Sequence, residues 1–363
     1  MAKEFPDTAY EETEKILSGI EKRIKAEYQQ AIEEVQAKAY DYMQRFEAKD
    51  RKWREWVANG QKTKKEYEQW RAQQILVGER WQALEDTLAH DLYNVSVTAQ
   101  KIAKEGMPEV YAVNFNYGTY EVEKGSGKDT GFTLYNKDAI ERILRDDPDI
   151  LPGPGRALSA KIAEGKAVRW NKQQIQSVMI QGIMQGESIP KLAKRLGQQV
   201  GESDYKASIR NARTMTTGVQ NAGRCDAYKR GESMGIKMIR EWRSVLDLRT
   251  RHEHRLLDGQ KRGVDEPFEV DGIQMMYPGD LSSGAPGYMI YNCRCKVRAH
   301  AAGFNGNSSK YRDNSALMGM SYDEWKQQKR SESQPILSQY EKGKAIEESY
   351  KREYRNGPKK KKR

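Results

Sequence analysis

YNCRCKVRAH, residues 291–300, sets Cys293 and Cys295 one residue apart in a chain that has only three cysteines. On an extended strand residues two apart face the same side, so both thiols address one point. A disulfide between them would close a tight ring on an extended backbone. What faces the pair therefore decides how this part of the chain folds.

Upstream, WRSVLDLRTRHEHRLLDGQ, residues 242–260, holds two of the four histidines. In a helix His254 and Asp258 stand four apart and share a face. Between the two clusters, Asp271-Gly272 is flanked by Phe268 and Val270 on one side and Ile273 and Met275 on the other. This pattern predicts a β-hairpin, which is expected to bring the clusters together. Two arrangements then fit the residues. In one, Cys293, Cys295, His254 and a fourth donor (Asp258, with His252 or His300 as alternatives) form a tetrahedral zinc set. In the other, the thiols are buried in a small sheet while the histidine and aspartate hydrogen-bond to pin the loop.

Further out the chain reads as helix. Ile16, Ile20, Ile24, Tyr28, Ile32 and Val35 recur at three- and four-residue steps among Lys, Glu and Gln. No Pro or Gly interrupts Glu21 to Ala58, and Asn59-Gly60 is a break. A second helical stretch carries Tyr67, Trp70, Ile75, Leu76, Trp81 and Leu84. The expected arrangement is an antiparallel helical hairpin, or an arm whose thin apolar stripe a partner covers. Residues 111–136 alternate aromatic and β-branched residues around GSGKD and predict a second β-hairpin. KDAIERILRDD resumes helix with Asn136 as cap, and LPGPG at 151–155 marks a domain boundary.

Beyond it, Asn171 is expected to cap a helix with the face Ile175, Val178, Met179 and Ile183, stopping at Gly186. Ser188 starts another helix, and Asp204 a third running past Tyr228. Ser321 and Glu324 predict a capping box before Trp325. The fold class is thus α+β and mainly α, in five parts. Residues 1–105 form a long helical arm, 106–155 a hairpin-and-helix connector, and 156–237 a helical domain. Residues 238–300 form a small β-rich Cys/His unit, and 301–363 a mostly flexible basic tail with one short helix.

Composition narrows the function. Of 363 residues 37% are hydrophobic and 32% charged, and the mean hydropathy is −0.94. Such a chain exposes much of its helix surface. The formal net charge of +11 favours acidic partners, nucleic acid or an anionic protein surface. An odd cysteine count argues for a reducing site of synthesis. The N-terminus lacks the apolar core of a signal peptide, and no run of about 18 apolar residues offers a membrane span. RHEHR is not H-E-x-x-H, and the nucleophile elbow, P-loop and dinucleotide fingerprint are missing. An Asp–Arg–His–Asp cluster leaves a metal-dependent nuclease as the enzymatic alternative.

Several features together form a pattern: Arg213 and Thr214 on a helix, Trp242, Asp247 with Arg249 and Thr250, His254, Leu257–Gly259, Pro278–Asp280 and Asn292–Cys295 with Arg294. Over roughly residues 205–297 this resembles the phage Mu F-like minor head proteins, also called head morphogenesis or minor capsid proteins of tailed bacteriophages. Met215 departs from the pattern, since many members carry an acidic residue there. The resemblance implies a virion role at the portal vertex or head interior after synthesis in the bacterial cytoplasm. The implied partners are portal protein, major capsid protein or scaffold, and packaged double-stranded DNA, with possible exit alongside the genome. It also implies zinc at the Cys and His positions. The closing run Lys359, Lys360, Lys361, Lys362 and Arg363 suits non-specific contact with DNA phosphates. The competing reading is a nuclease or another enzyme delivered with the phage genome.

Overall fold

Three long helices carry the molecule. A computed structural model describes residues 7–74, 78–138, 140–141, 160–185, 187, 189–280, 282–304 and 312–332. Helix α1 spans Thr8–Ala58, α2 Lys64–Ala72, α3 Glu79–Ser126, α4 Ala160–Met184 and α5 Ile189–Ser233. The Asp7 carboxylate caps α1 by accepting from the Tyr10 amide, and α1 ends where Gly60 takes a positive φ of 71°.

The stripe on α1 is covered by the chain itself. Leu17, Ile20, Ile24, Tyr28, Ala31, Val35, Ala39 and Met43 are buried at helical spacing, against α3 and α5. The long helix is therefore not a free arm over most of its length. Past Met43 its packing partner is α2, through a Phe46–Trp70–Trp53 stack and a bond from the Tyr67 hydroxyl to Asp50.

The hairpin expected over 111–136 is instead the end of α3, which crosses the expected division at 105/106 without a break. Only Lys128–Asp129 (β1) is strand, paired with Arg312–Asp313 (β7). The reason lies in burial. From Val110 to Tyr120 every residue is buried, so this stretch of helix has no wet face to show a 3.6 period. Its polar members serve the interior. Asn114 donates to Thr13 Oγ1, Asn116 pairs both ways with the Tyr135 backbone, and Thr119 donates to the Phe115 carbonyl. Polar residues bonded inside a helix imitate the alternation of a strand.

Two expected caps also fall inside helices. Asn171 lies within α4 and donates to the Ala89 carbonyl on α3, while Asp204 lies within α5. Where α3 and α5 cross, a Cβ on Gly223 would come 2.9 Å from Tyr111 O, and one on Gly118 2.8 Å from Ala227 Cβ. Only glycine lets the backbones approach this closely.

After α5 come β2 (Ile236–Arg243), α6 (His252–Leu257), β3 (Lys261–Gly263), β4 (Phe268–Val270), β5 (Ile273–Met275), α7 (Gly287–Ile290) and β6 (Lys296–Phe304). The sheet order is β3-β2-β6, and β4–β5 form the hairpin predicted at Asp271-Gly272, both with positive φ. A helix over 322–332 (α8) begins with the predicted Ser321–Glu324 box. It docks on α3 through Trp325, whose Nε1 donates to Glu123 2.7 Å away, and through Lys329, which lies 3.2 Å from Glu123. Residues 312–332 are thus packed structure rather than tail. The fold is α+β and mainly α; of the small sheets among the described residues, β3-β2-β6 and β4-β5 lie in or beside the Cys/His unit and β1-β7 lies outside it. The LPGPG boundary, Ile75, Leu76, Gly186, Ser188, most of KDAIERILRDD and the Lys359–Arg363 run lie outside the described residues.

Candidate metal centre

The β2–β6 ladder brings the two clusters together. Its register pairs Trp242 with Val297 and Arg243 with Lys296, so the chain leaving β2 runs beside the chain entering β6. The β4–β5 hairpin plays a different part, setting Phe268 edge-on beneath Trp242 at 5.4 Å. Trp242 in turn meets His254 at 5.9 Å and nearly perpendicular.

His254, Cys293 and Cys295 are all buried, with their ligand atoms within 4.8 Å of one another. His254 Nδ1 lies 3.2 Å from Cys295 Sγ and 3.7 Å from Cys293 Sγ. Nε2 sits 3.0 Å from the Met289 carbonyl oxygen, which can only accept. In the neutral ring Nε2 therefore carries the proton, and Nδ1 turns its lone pair to the sulfurs. Metal-binding histidines are oriented by the same kind of outer hydrogen bond.

The two thiols differ. A hydrogen bond from Cys293 pulls the Cys295 thiol below its usual range, against the opposing effect of burial. Cys293 is pushed up by that same bond and by burial. Two sulfurs and one imidazole nitrogen converging in a dry pocket fit a zinc-type ion as three donors.

A fourth donor from the expected set does not join them. The Asp258 carboxylate is spent on the Ser244 amide at 2.7 Å, because α6 ends at Leu257 and turns Asp258 away. His252 is exposed, and His300 pairs with Glu241 at 2.9 Å. Ser244 Oγ lies beside the pair, 3.4 Å from Cys295 Sγ. Ser244 also accepts from Trp242 Nε1 and donates to the His254 carbonyl. Sequence reading did not single it out, since one serine carries no spacing signal.

Thr214 of the motif belongs to a set whose other members, Thr217, Asn221 and Arg224, were missed although their spacing was visible. The four recur at three- and four-residue steps along α5 and grip the cysteine strand. Thr214 Oγ1 accepts from the Asn292 amide and Thr217 donates to the Cys293 carbonyl. Asn221 accepts from the Val297 amide and donates to the Cys295 and Pro278 carbonyls. The Pro278–Asp280 turn meets α5 at Gly218.

The remaining motif residues shape the loop beside the centre. Arg294 meets Asp247 with both nitrogens, and Thr250 and Arg249 bond to the same carboxylate. Gly259, with φ 76°, turns its amide onto the Trp242 carbonyl. Arg213 pairs with Glu21 of α1 at 2.6 Å. A cavity of about 420 Å³ lies between α1, α5 and this loop, with Arg213, Arg249, Arg251, Arg294, Glu14 and Cys293 on its wall. Burial and the charge of Glu21 raise the Glu14 carboxyl there.

Residues 173–298, from within α4 to within β6, match the model of the family described as Phage Mu protein F like protein. The minor head protein GP7 of Bacillus phage SPP1 is 30% identical over 205 residues, covering 55% of this chain and 61% of that protein. The NAD(+)–arginine ADP-ribosyltransferase EFV of Enterococcus faecalis is 25% identical over 207 residues, covering 57% of this chain and 40% of the enzyme. The chain therefore spans less than two thirds of either relative. No solved structure matches it. Among the described residues no helix is long and apolar enough to cross a membrane. The segment that matches the Phage Mu F-like family model contains the cysteine strand, His254 and the α5 residues that grip them.

Proposed function

We propose that the chain is a structural and assembly protein of a tailed-phage head, seated at the portal vertex or inner capsid wall. The observation that carries this reading is the Mu F-like segment, together with the 30% identity to a minor head protein. The partners are portal, major capsid protein or scaffold, with packaged double-stranded DNA as a non-specific polyanion met by the Lys359–Arg363 run. His254, Cys293 and Cys295 hold a structural zinc that fastens the cysteine strand to α6.

The transferase relative bears on the alternative. The stretch matched by this chain is 40% of that enzyme, and with 57% and 55% of the chain matched the two relatives share part of it. A module common to an enzyme and a head protein supports a role in carrying or placement rather than in chemistry. An enzymatic role, with a metal-dependent nuclease foremost, is the competing reading. Mass spectrometry of purified virions and pull-down with the portal protein test the head role, and absence from both would end it. Plasmid cleavage with zinc, manganese or magnesium that disappears in His254→Ala would favour the nuclease instead.

A further inference from the structure

The turn after β2 combines two features that usually exclude one another. Leu248 is 100% exposed and Leu246 65% exposed, yet the backbone on either side of each leucine, at Val245, Asp247, Arg249 and Thr250, is held by hydrogen bonds. The Asp247 carboxylate takes two bonds from Arg294 at 2.7 Å each, one from the Arg249 amide at 2.9 Å and one from the Thr250 hydroxyl. Arg255 donates to the Asp247 carbonyl at 2.8 Å and to the Thr250 carbonyl at 3.1 Å, and the Thr250 hydroxyl accepts from the Asp247 amide at 3.2 Å. Exposed leucines on a loose loop are unremarkable. Leucines on a loop pinned by a bidentate arginine are presented in one fixed position, and fixing them before contact lowers the entropic cost of binding.

We propose that this turn is a docking knob, in which Leu246 and Leu248 enter an apolar pocket on another protein whose rim carries carboxylates. The acidic rim follows from the cations around the knob. Arg249 is largely exposed, with its nearest carboxylate 3.7 Å away. Arg251 bonds to the Tyr291 carbonyl, and Arg255 to the carbonyls of the turn. Leu256 extends the apolar surface at 54% exposure. A second copy of this chain is a poor occupant, because its net charge is +11 and the same arginines would face each other. Phosphate backbones would use the arginines but leave the leucines in water.

Placing the partner in the phage head rests on the proposed function. Phage heads assembled without this chain serve as the probe, in co-sedimentation with the purified full-length chain. Wild type is expected to pellet with the heads, and the double variant Leu246→Ser/Leu248→Ser to lose at least tenfold in affinity. Arg249→Glu is expected to lose severalfold and to show a weaker salt dependence. Both sites are exposed, so circular dichroism and Tm are expected to match wild type. Wild type left in the supernatant overturns the head assignment and this partner with it. Equal pelleting of wild type and the leucine variant overturns the knob alone. A wild-type dimer that the leucine variant dissolves, seen by sedimentation equilibrium, replaces the partner with a second copy and also overturns the proposal.

Discussion

Arg294, the residue between Cys293 and Cys295, clasps the Asp247 carboxylate through two parallel N–H···O bonds of 2.7 Å. Alternation along the strand explains the arrangement. The two sulfurs turn inward to His254, and the residue between them turns outward to the loop. The His254–Cys293–Cys295 group and the exposed turn are thus two faces of one short segment. Ordering the sulfurs also orders the guanidinium.

Asp247→Asn keeps the shape but removes the charge that makes the double bond strong. The variant is expected to loosen the turn without unfolding the protein, and faster amide exchange at Arg249 and Thr250 is the measure. The Arg294 hydrogen bonds hold the Asp247 carboxyl well below the ordinary range. A depressed carboxyl supports the native turn above its unfolded pKa of about 3.9. That support is lost as pH falls below this value toward the folded one. Resonances of the turn should therefore stay constant from neutral pH to about pH 4 and move only below it.

Zinc content separates the two arrangements that the sequence left open. Protein purified without a histidine tag is expected to carry close to one equivalent by elemental analysis. Cys293→Ser/Cys295→Ser and His254→Ala should lose it, whereas His252→Ala should keep it. Asp258→Ala should also retain metal while weakening the loop, since its carboxylate holds the Ser244 amide. Metal loss in Asp258→Ala equal to that in His254→Ala would reinstate Asp258 as a ligand.

Asp7 and Arg224 join the start of α1 to the middle of α5. Arg224 is fully buried and reaches both Asp7 oxygens, at 3.0 and 2.8 Å, with Lys296 at 2.9 Å from the same carboxylate. Burial alone would raise the Asp7 carboxyl, but the charges and bonds of Arg224 and Lys296 overcome it and hold it well below the usual range. Asp7→Ala leaves a guanidinium buried against the Tyr117 ring without its carboxylate, a loss of about 3–5 kcal/mol. Denaturant unfolding measures it, and Asp7→Ala/Arg224→Met should recover part of the loss. In wild type this contribution is complete above pH of about 4 and declines on acidification below it.

The sequence made the Cys/His unit legible for a physical reason. Its hairpin turn, paired thiols and single buried histidine are each set by local chemistry, and short-range chemistry survives in a string of letters. Asp258 was misread because four-residue spacing implies a shared face only if the helix continues, and α6 stops one residue short. The 111–126 segment was misread because its surroundings come from residues distant in sequence: Thr13 and Trp325 lie against α3 from opposite ends of the chain. The α5 stripe of Thr214, Thr217, Asn221 and Arg224 was readable as a polar face on an otherwise small-residue helix. What it grips could not be read without the β2–β6 register.

The crossing of α3 and α5 gives the sharpest contrast between two glycines. A methyl on Gly223 would sit 2.9 Å from Tyr111 O and 3.2 Å from Phe115 N, both backbone atoms of a buried helix that cannot yield singly. Gly223→Ala should therefore cost about 1–3 kcal/mol by overpacking. Gly165, within α4, has nothing within 4 Å of the same position, and Gly165→Ala should gain up to about 1 kcal/mol from helix propensity. Urea unfolding of the two variants against wild type reads both signs. If Gly223→Ala is neutral, the helices stand further apart than the 2.9 Å approach requires, and the grip of α5 on the cysteine strand must be reconsidered with them.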